Sequence, residues 1–196
     1  MISADETVFF WINGLAGKHP VIDGVIRVMA CDLFIPVVMF LALFAIWIYG
    51  SNRESRQRHQ RAVICSLTAM GFSNLVVFIL DAALPDRLRP FEAFPEKVNL
   101  IFYPPTDPSF PSNAAAAAFA MAIGMWLYNR RLGYILLVPA LVISFGRVYM
   151  GVHYPLDIVG GFLAAILGTG VAWVVLKIAE PIVARFLSLA KKIYLA

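Results

Sequence analysis

Charge is scarce in this chain. Of its 196 residues 14% are charged and 61% hydrophobic, and mean hydropathy is +0.79. That balance places it among integral membrane proteins and leaves no room for a separate soluble domain. Residues 1–196 are therefore expected to form one membrane-embedded domain. Cysteine is scarce too. Cys31 and Cys65 lie in or beside apolar segments, more like small buried hydrophobes than a disulfide or a metal pair. A cleavable signal peptide is not expected, because Asp5 and Glu6 stand where its basic segment would be and no clean apolar run follows. The net charge of +4 does not point to nucleic acid, since the basic residues collect beside apolar spans, as topology signals do.

Five apolar stretches are read as spans, at roughly 33–50, 62–84, 113–128, 133–150 and 155–177. Each is near the length needed to cross about 30 Å of hydrocarbon. The third is short unless neighbours shield it or it tilts. Before them, residues 1–31 mix apolar stretches with Asp5, Glu6, Lys18, Asp23 and Arg27. They are expected to make two short amphipathic helices, broken at Gly17–Pro20 and lying in the interface. A sixth, irregular span remains open. The fold class is thus all-α, a polytopic bundle of five to six spans.

Orientation follows from the arginines. Arg53, Arg56, Arg58 and Arg61 fill a loop at 51–61, Arg130 and Arg131 the next loop on that side, and Arg185, Lys191 and Lys192 the tail. The positive-inside rule puts these three in the cytoplasm. Residues 85–112, with seven of the twelve prolines, then share the outer face with His153. Proline limits helix there without removing order, so a structured substrate rim is expected. In the last span Gly160, Ala164, Gly168 and Ala172 recur every fourth residue, the pattern of a helix-packing groove.

The chemistry concentrates between Gly146 and Asp157. If a helix starts at Pro155, a favoured first-turn residue, His153 and Asp157 stand four apart and meet across its first turn. A carboxylate there can hold one ring nitrogen and leave the other free to attack. Arg147, six residues before the histidine, is a forked cation suited to phosphate oxygens. Ionisable groups at membrane depth are costly and usually functional. Arg87 and Arg89 sit at the outer end of the second span, and Ser112 and Asn113 precede an alanine-rich helix whose first amides favour an anion.

The spacing Arg147-x5-His153-x3-Asp157 resembles the third signature of the type 2 phosphatidic acid phosphatase superfamily. Arg89-Pro90-Phe91 resembles the end of its first, and Phe110-Pro111-Ser112-Asn113 the opening of its second. The order is the family's own, and Phe10-Trp11-Ile12-Asn13-Gly14 is most like its bacitracin-resistance branch, the undecaprenyl-diphosphate phosphatases. The resemblance implies a metal-free, cofactor-free phosphoryl transfer with His153 as nucleophile and Asp157 fixing its tautomer. Arg89, Arg147, Ser112, Asn113 and Arg87 are then the phosphate-binding candidates. The implied partners are a polyprenyl diphosphate or another lipid phosphate, in a bacterial cell membrane with the site facing outward. Phosphatidic acid, phosphatidylglycerophosphate and lipid A are alternative substrates, and an inactive lipid-binding relative is an alternative role. The chain departs from the family at two positions. The second signature's histidine is replaced by Ala114, and a lysine common in the first by Ala82. Ala114 removes the implied acid–base group, so impaired turnover is expected, whether the histidine was substituted or the relative is naturally inactive.

Overall fold

The computed structural model describes residues 3–50 and 52–192, leaving aside the side chains of 190–192. Lys191 and Lys192, counted in the tail's charge, therefore have side chains outside the described residues. The described secondary structure is entirely helical: α1 (Ala4–Asn13), α2 (Pro20–Met29), α3 (Phe34–Ile48), α4 (Arg53–Ala83), α5 (Pro90–Ala93), α6 (Asn113–Trp126), α7 (Arg130–Tyr149), α8 (Pro155–Ile178) and α9 (Glu180–Lys192). The α1–α2 break and the five apolar helices fall where the hydropathy pattern puts them.

Helix α6 lies at the centre, packed on α4, α7 and α8. Its alanines explain how. Ala115, Ala116, Ala118, Ala120 and Ala122 are all buried, and so small a side chain lets three neighbours approach at once. At 14 residues it spans only about 21 Å, short of the hydrocarbon thickness, but the surrounding helices enclose it. By length and composition α4, α7 and α8 suffice to cross a membrane, and α2 with α3 makes a fourth span bent by 49°. Sequence alone places α2 flat in the interface; its bent continuation into α3 is the structural alternative. Phe40, Leu41, Phe44, Phe78, Ile79, Leu163 and Leu167 stand exposed on the outer faces of α3, α4 and α8, a surface suited to lipid.

Close packing rests on the small residues of α8. Gly160, Ala164, Gly168 and Ala172 are all buried. A β-carbon on Gly168 would lie 2.4 Å from the Ser73 nitrogen of α4, and one on Gly161 would lie 2.5 Å from the Ser112 oxygen that opens α6. The groove read from the four-residue repeat is thus where α4 and α6 dock.

The two ends of the bundle differ. At one end Arg58 Nε donates to the Tyr128 carbonyl at 2.7 Å and Arg61 pairs with Glu180 at 2.6 Å, gathering the start of α4, the α6–α7 turn and the start of α9. The loop expected at 51–61 is mostly helix: α4 starts at Arg53 with Asn52 capping the Ser55 amide at 2.8 Å. Polarity marks residues outside lipid, whereas arginine and glutamine are good helix formers, so the pattern reported depth and not conformation. At the other end residues 85–112 are ordered, as their prolines suggest. Asn13 Nδ2 donates to the carbonyls of Asn99 and Tyr149, and Arg27 Nε to that of Ile101.

Gly168→Ala should lower stability by about 1–3 kcal/mol, the usual cost of overpacking a tight contact. Thermal unfolding in detergent measures it; an unchanged midpoint would show that α4 and α8 do not approach this closely.

Candidate active site

The turn from α7 to α8 is built by local chemistry. Arg147 stands in the last turn of α7, and Gly151 (φ +86°) reverses the chain in a conformation that disfavours any side chain. A β-carbon there would also strike Val98 at 2.7 Å. Residues 152–154 run on to Pro155, the first residue of α8, and Asp157 reaches back to accept from the Tyr154 amide at 2.7 Å. His153 and Asp157 therefore meet at the positive end of a helix, both buried.

His153 is held by two contacts of different kinds. Its Nδ1 lies 2.9 Å from the Ser109 carbonyl oxygen, which can only accept, so Nδ1 carries the proton. Nε2 then carries the lone pair, which accepts from Arg89 Nη1 at 3.3 Å. The Asp157 carboxylate is further from Nδ1, at 3.5 Å. The expectation that Asp157 itself fixes the tautomer is corrected: a main-chain carbonyl does so. Asp157 spends its oxygens on the Ser109 hydroxyl (2.6 Å), the Tyr154 amide and Arg87 (2.6 Å), leaving its charge beside the ring. Burial lowers the His153 pKa, and Arg89 and Arg147 lower it further, against the opposing pull of Asp157. The ring accordingly stays neutral, the form that can attack, below the usual histidine range.

A cavity of about 580 Å³ opens beside this group. His153, Arg147, Asn113 and Ala114 line it, together with Asp32, Asp107 and Tyr103. Arg147 is buried, pairs through Nη1 with Asp32 at 2.7 Å, and keeps a buried Nε with no partner among the described residues. An unmet donor at a cavity wall invites an anion. Arg89 is buried just behind the lining, reaching the site at His153 Nε2 and donating to the carbonyls of Asp107 (2.9 Å) and Val152 (2.8 Å) and to the Asp107 carboxylate (2.9 Å).

The remaining candidates divide. Asn113 is at the cavity, where the first turn of α6 has amides without intrahelical partners. Ser112 is buried behind it, and its amide already donates to the Asp157 carbonyl at 3.0 Å. The reading of that amide as an anion donor is therefore corrected; Ser112 caps α6, its Oγ 3.5 Å from the Ala115 amide, and ties α6 to α8. Arg87 does not line the cavity and points instead to Asp157 and Asp5. Ser109, Asp32, Asp107 and Asp5 escaped sequence reasoning. Only the position of Ser109 inside the proline-rich segment, between Pro108 and Pro111, offered any signal. Ala114 occupies the cavity wall on the side of Asn113, a place from which a longer side chain would face the ligand space.

A family model described as the PAP2 superfamily matches residues 62–181. The chain belongs to that superfamily. It is similar to undecaprenyl-diphosphatase BcrC of Bacillus subtilis (strain 168), 34% identical over 160 residues that cover 82% of this chain and 78% of that protein. It is also similar to the putative undecaprenyl-diphosphatase YbjG of Escherichia coli (strain K12), 32% identical over 83% of this chain and 77% of that protein. Among solved structures, LpxE of Aquifex aeolicus aligns with a TM-score of 0.65 at 27% identity, covering 85% of this chain and 93% of that one. A PAP2-type phosphatidylglycerolphosphate phosphatase from Bacillus subtilis shares the fold at 20% identity, with a TM-score of 0.57 over 87% of this chain and 85% of that one. With its apolar helices, this membership makes the chain a multi-pass membrane protein.

The chain has three histidines, so ring-labelled histidine gives a simple spectrum in detergent. His153 should titrate below the ordinary value of about 6.5, its signal still that of a neutral ring at pH 6.5. A ring mostly protonated there would show that burial and the two arginines do not dominate.

Proposed function

We propose that the chain is a lipid diphosphate phosphatase that converts undecaprenyl diphosphate to undecaprenyl phosphate through a phosphohistidine. The observation that carries this reading is the unprotonated Nε2 of His153, its ring proton held on Nδ1 by a carbonyl, with Arg147 at the same cavity wall. The names of the similar proteins support the substrate class.

In the first step the Nε2 lone pair attacks the terminal phosphorus. The bridging P–O bond breaks, and its electron pair leaves with the lipid monophosphate. Arg147 and Arg89 hold the equatorial oxygens as negative charge builds on the bridging oxygen, which departs with the lipid monophosphate. Asp32 and Asp107 occupy those arginines before substrate arrives, and the phosphate replaces them. The ring becomes positive while phosphorylated, and Asp157 at 3.5 Å offsets that charge. In the second step water attacks phosphorus, its proton passing to a phosphate oxygen or to solvent, while the P–N bond breaks and its electrons return to Nε2.

Ala114 bears on both steps. A general acid–base at that position would protonate the leaving oxygen and later activate the water, and losing such a group costs roughly 10²–10⁴ in rate. The loss weighs least where the leaving group is a stable anion. A lipid monophosphate leaves as one, whereas the alkoxide from phosphatidic acid, phosphatidylglycerophosphate or lipid A needs the proton. Ala114 therefore favours the diphosphate reading over those lipids and makes this chain a slow enzyme. An inactive lipid-binding role is the reading left if no lipid is hydrolysed. The outward orientation, in a bacterial cell membrane, rests on the arginines gathered at the opposite end of the bundle.

Ala114→His should raise phosphate release from polyprenyl diphosphate by at least about 100-fold, the low end for an acid–base group. In that background His153→Ala should abolish turnover. Equal rates with Ala and His at 114 would mean that another residue is the acid, and turnover by His153→Ala would remove the nucleophile from its role.

Sidedness is read separately, with single cysteines in a variant lacking Cys31 and Cys65. A membrane-impermeant thiol reagent on intact cells should label position 97 and spare position 53, both exposed. The opposite pattern would put the site in the cytoplasm.

A further inference from the structure

Asp157 is a fully buried carboxylate, and a buried charge without a partner is costly. Its partner is Arg87, whose Nη1 lies 2.6 Å from one carboxylate oxygen. The other end of the same guanidinium, Nη2, lies 2.5 Å from Asp5 in α1. Asp5 is itself nearly enclosed, its side chain 5% exposed, and its second oxygen accepts from the Leu156 amide at 2.9 Å. The guanidinium also stacks on Tyr154, its carbon 4.1 Å from the centre of that ring. Tyr154 in turn packs on Phe9 of α1, ring centres 5.3 Å apart. Apart from the Arg87–Asp5 pair, each of these contacts falls on the four residues 154–157 that follow His153.

We propose that Asp5 and Arg87 are positioning residues for His153, with α1 serving as part of the active site's frame. This rests on the reading of His153 as nucleophile. Arg87 bridges two carboxylates from opposite ends of the chain and locks the first turn of α8. It also offsets part of the Asp157 charge, so that the carboxylate beside the ring draws a proton onto it less strongly. The charged groups facing His153 are Asp157 from α8, Arg147 from α7, and Arg89 with its partner Asp107 from the proline-rich segment. Arg87 acts on the ring only through Asp157. A lysine cannot replace it, since one ammonium lacks the fork that spans both carboxylates.

Two measurements test this. In the chain as it stands, Arg87→Ala should raise the His153 titration midpoint by about half a unit or more, because Asp157 then acts on the ring unopposed. This measurement needs no turnover. In the Ala114→His background, Arg87→Ala, Arg87→Lys and Asp5→Asn should each lower kcat about tenfold or more and leave KM within about threefold, as expected when charge-assisted hydrogen bonds that hold the nucleophile are lost. Arg147→Ala, which removes a phosphate contact, should raise KM. A KM rise for Arg87→Ala that matches Arg147→Ala, with kcat kept, would make Arg87 a phosphate ligand and overturn the proposal. So would an unmoved His153 midpoint. If Arg87→Ala does not fold in detergent, Arg87→Lys and Asp5→Asn carry the kinetic measurement, and full kcat in both rejects the frame. Turnover by His153→Ala is a different failure: it removes the nucleophile, while the titration still decides whether Arg87 offsets Asp157.

Discussion

One buried carboxylate organises this end of the protein. Asp157 has no access to water, and a charge in that position persists only where several donors meet it. Arg87, the Ser109 hydroxyl and the Tyr154 amide meet it here. Those three donors come from different parts of the chain, so satisfying one side chain fixes the proline-rich segment, the α7–α8 turn and, through Asp5, the first helix. The histidine is then placed as a consequence. Its Nδ1 finds the carbonyl of the same Ser109 whose hydroxyl serves Asp157, and its Nε2 has one orientation left.

The same economy runs through the packing. Helix α6 is too short to cross a membrane unaided, and its N-terminus has to reach the cavity to present Asn113 there. Alanine and glycine make both possible. They bring α4, α7 and α8 close enough to hide the short helix, and they bring the Ser112 carbonyl against Gly161, so the start of α6 is fixed relative to α8. The alanine run at 114–118 therefore serves packing through Ala115, Ala116 and Ala118, while Ala114 and Ala117 face the cavity. That is why position 114 is hard to notice: Ala114 continues a pattern its neighbours need.

Much of this was legible in the sequence, for physical reasons that differ by residue. The five apolar helices could be read because lipid imposes a hydropathy pattern on the chain itself. Arg147, His153 and Asp157 could be read because one turn and the first turn of α8 carry the whole arrangement, within eleven positions. The failures are of two kinds. Helix α4 starts earlier than expected because polarity reports where the membrane ends and says nothing of where a helix does. Arg87 and the Ser112 amide were misassigned because their partners are remote. Arg87 is set by Asp5, 82 positions away, and Arg147 by Asp32, 115 positions away. No spacing rule reaches that far. Ser109 was missed for a related reason, since what it offers the histidine is a main-chain carbonyl, and every residue has one.

The carboxylates that hold the empty arginines also shape what the site selects. Arg147 and Arg89 each contribute a guanidinium already paired with an aspartate, Asp32 in one case and Asp107 in the other. A ligand must therefore offer each arginine more than a carboxylate does. A singly charged or distant anion does not. On the proposed reading a phosphate held between both arginines does, because its oxygens serve the two forks together and its charge is nearly double. The displaced aspartates are half to mostly exposed, so they return to water at little cost, whereas the arginines they leave are buried and cannot. That asymmetry sets the direction of exchange. In the proposed cycle the buried cations stay in place between turnovers, held by the carboxylates that substrate displaces. Meanwhile Asp157, whose own cation lies outside the cavity, is never drawn into the competition. Separating the exchangeable ion pairs from the permanent one lets a phosphate enter without disturbing the residue that holds the histidine's surroundings together.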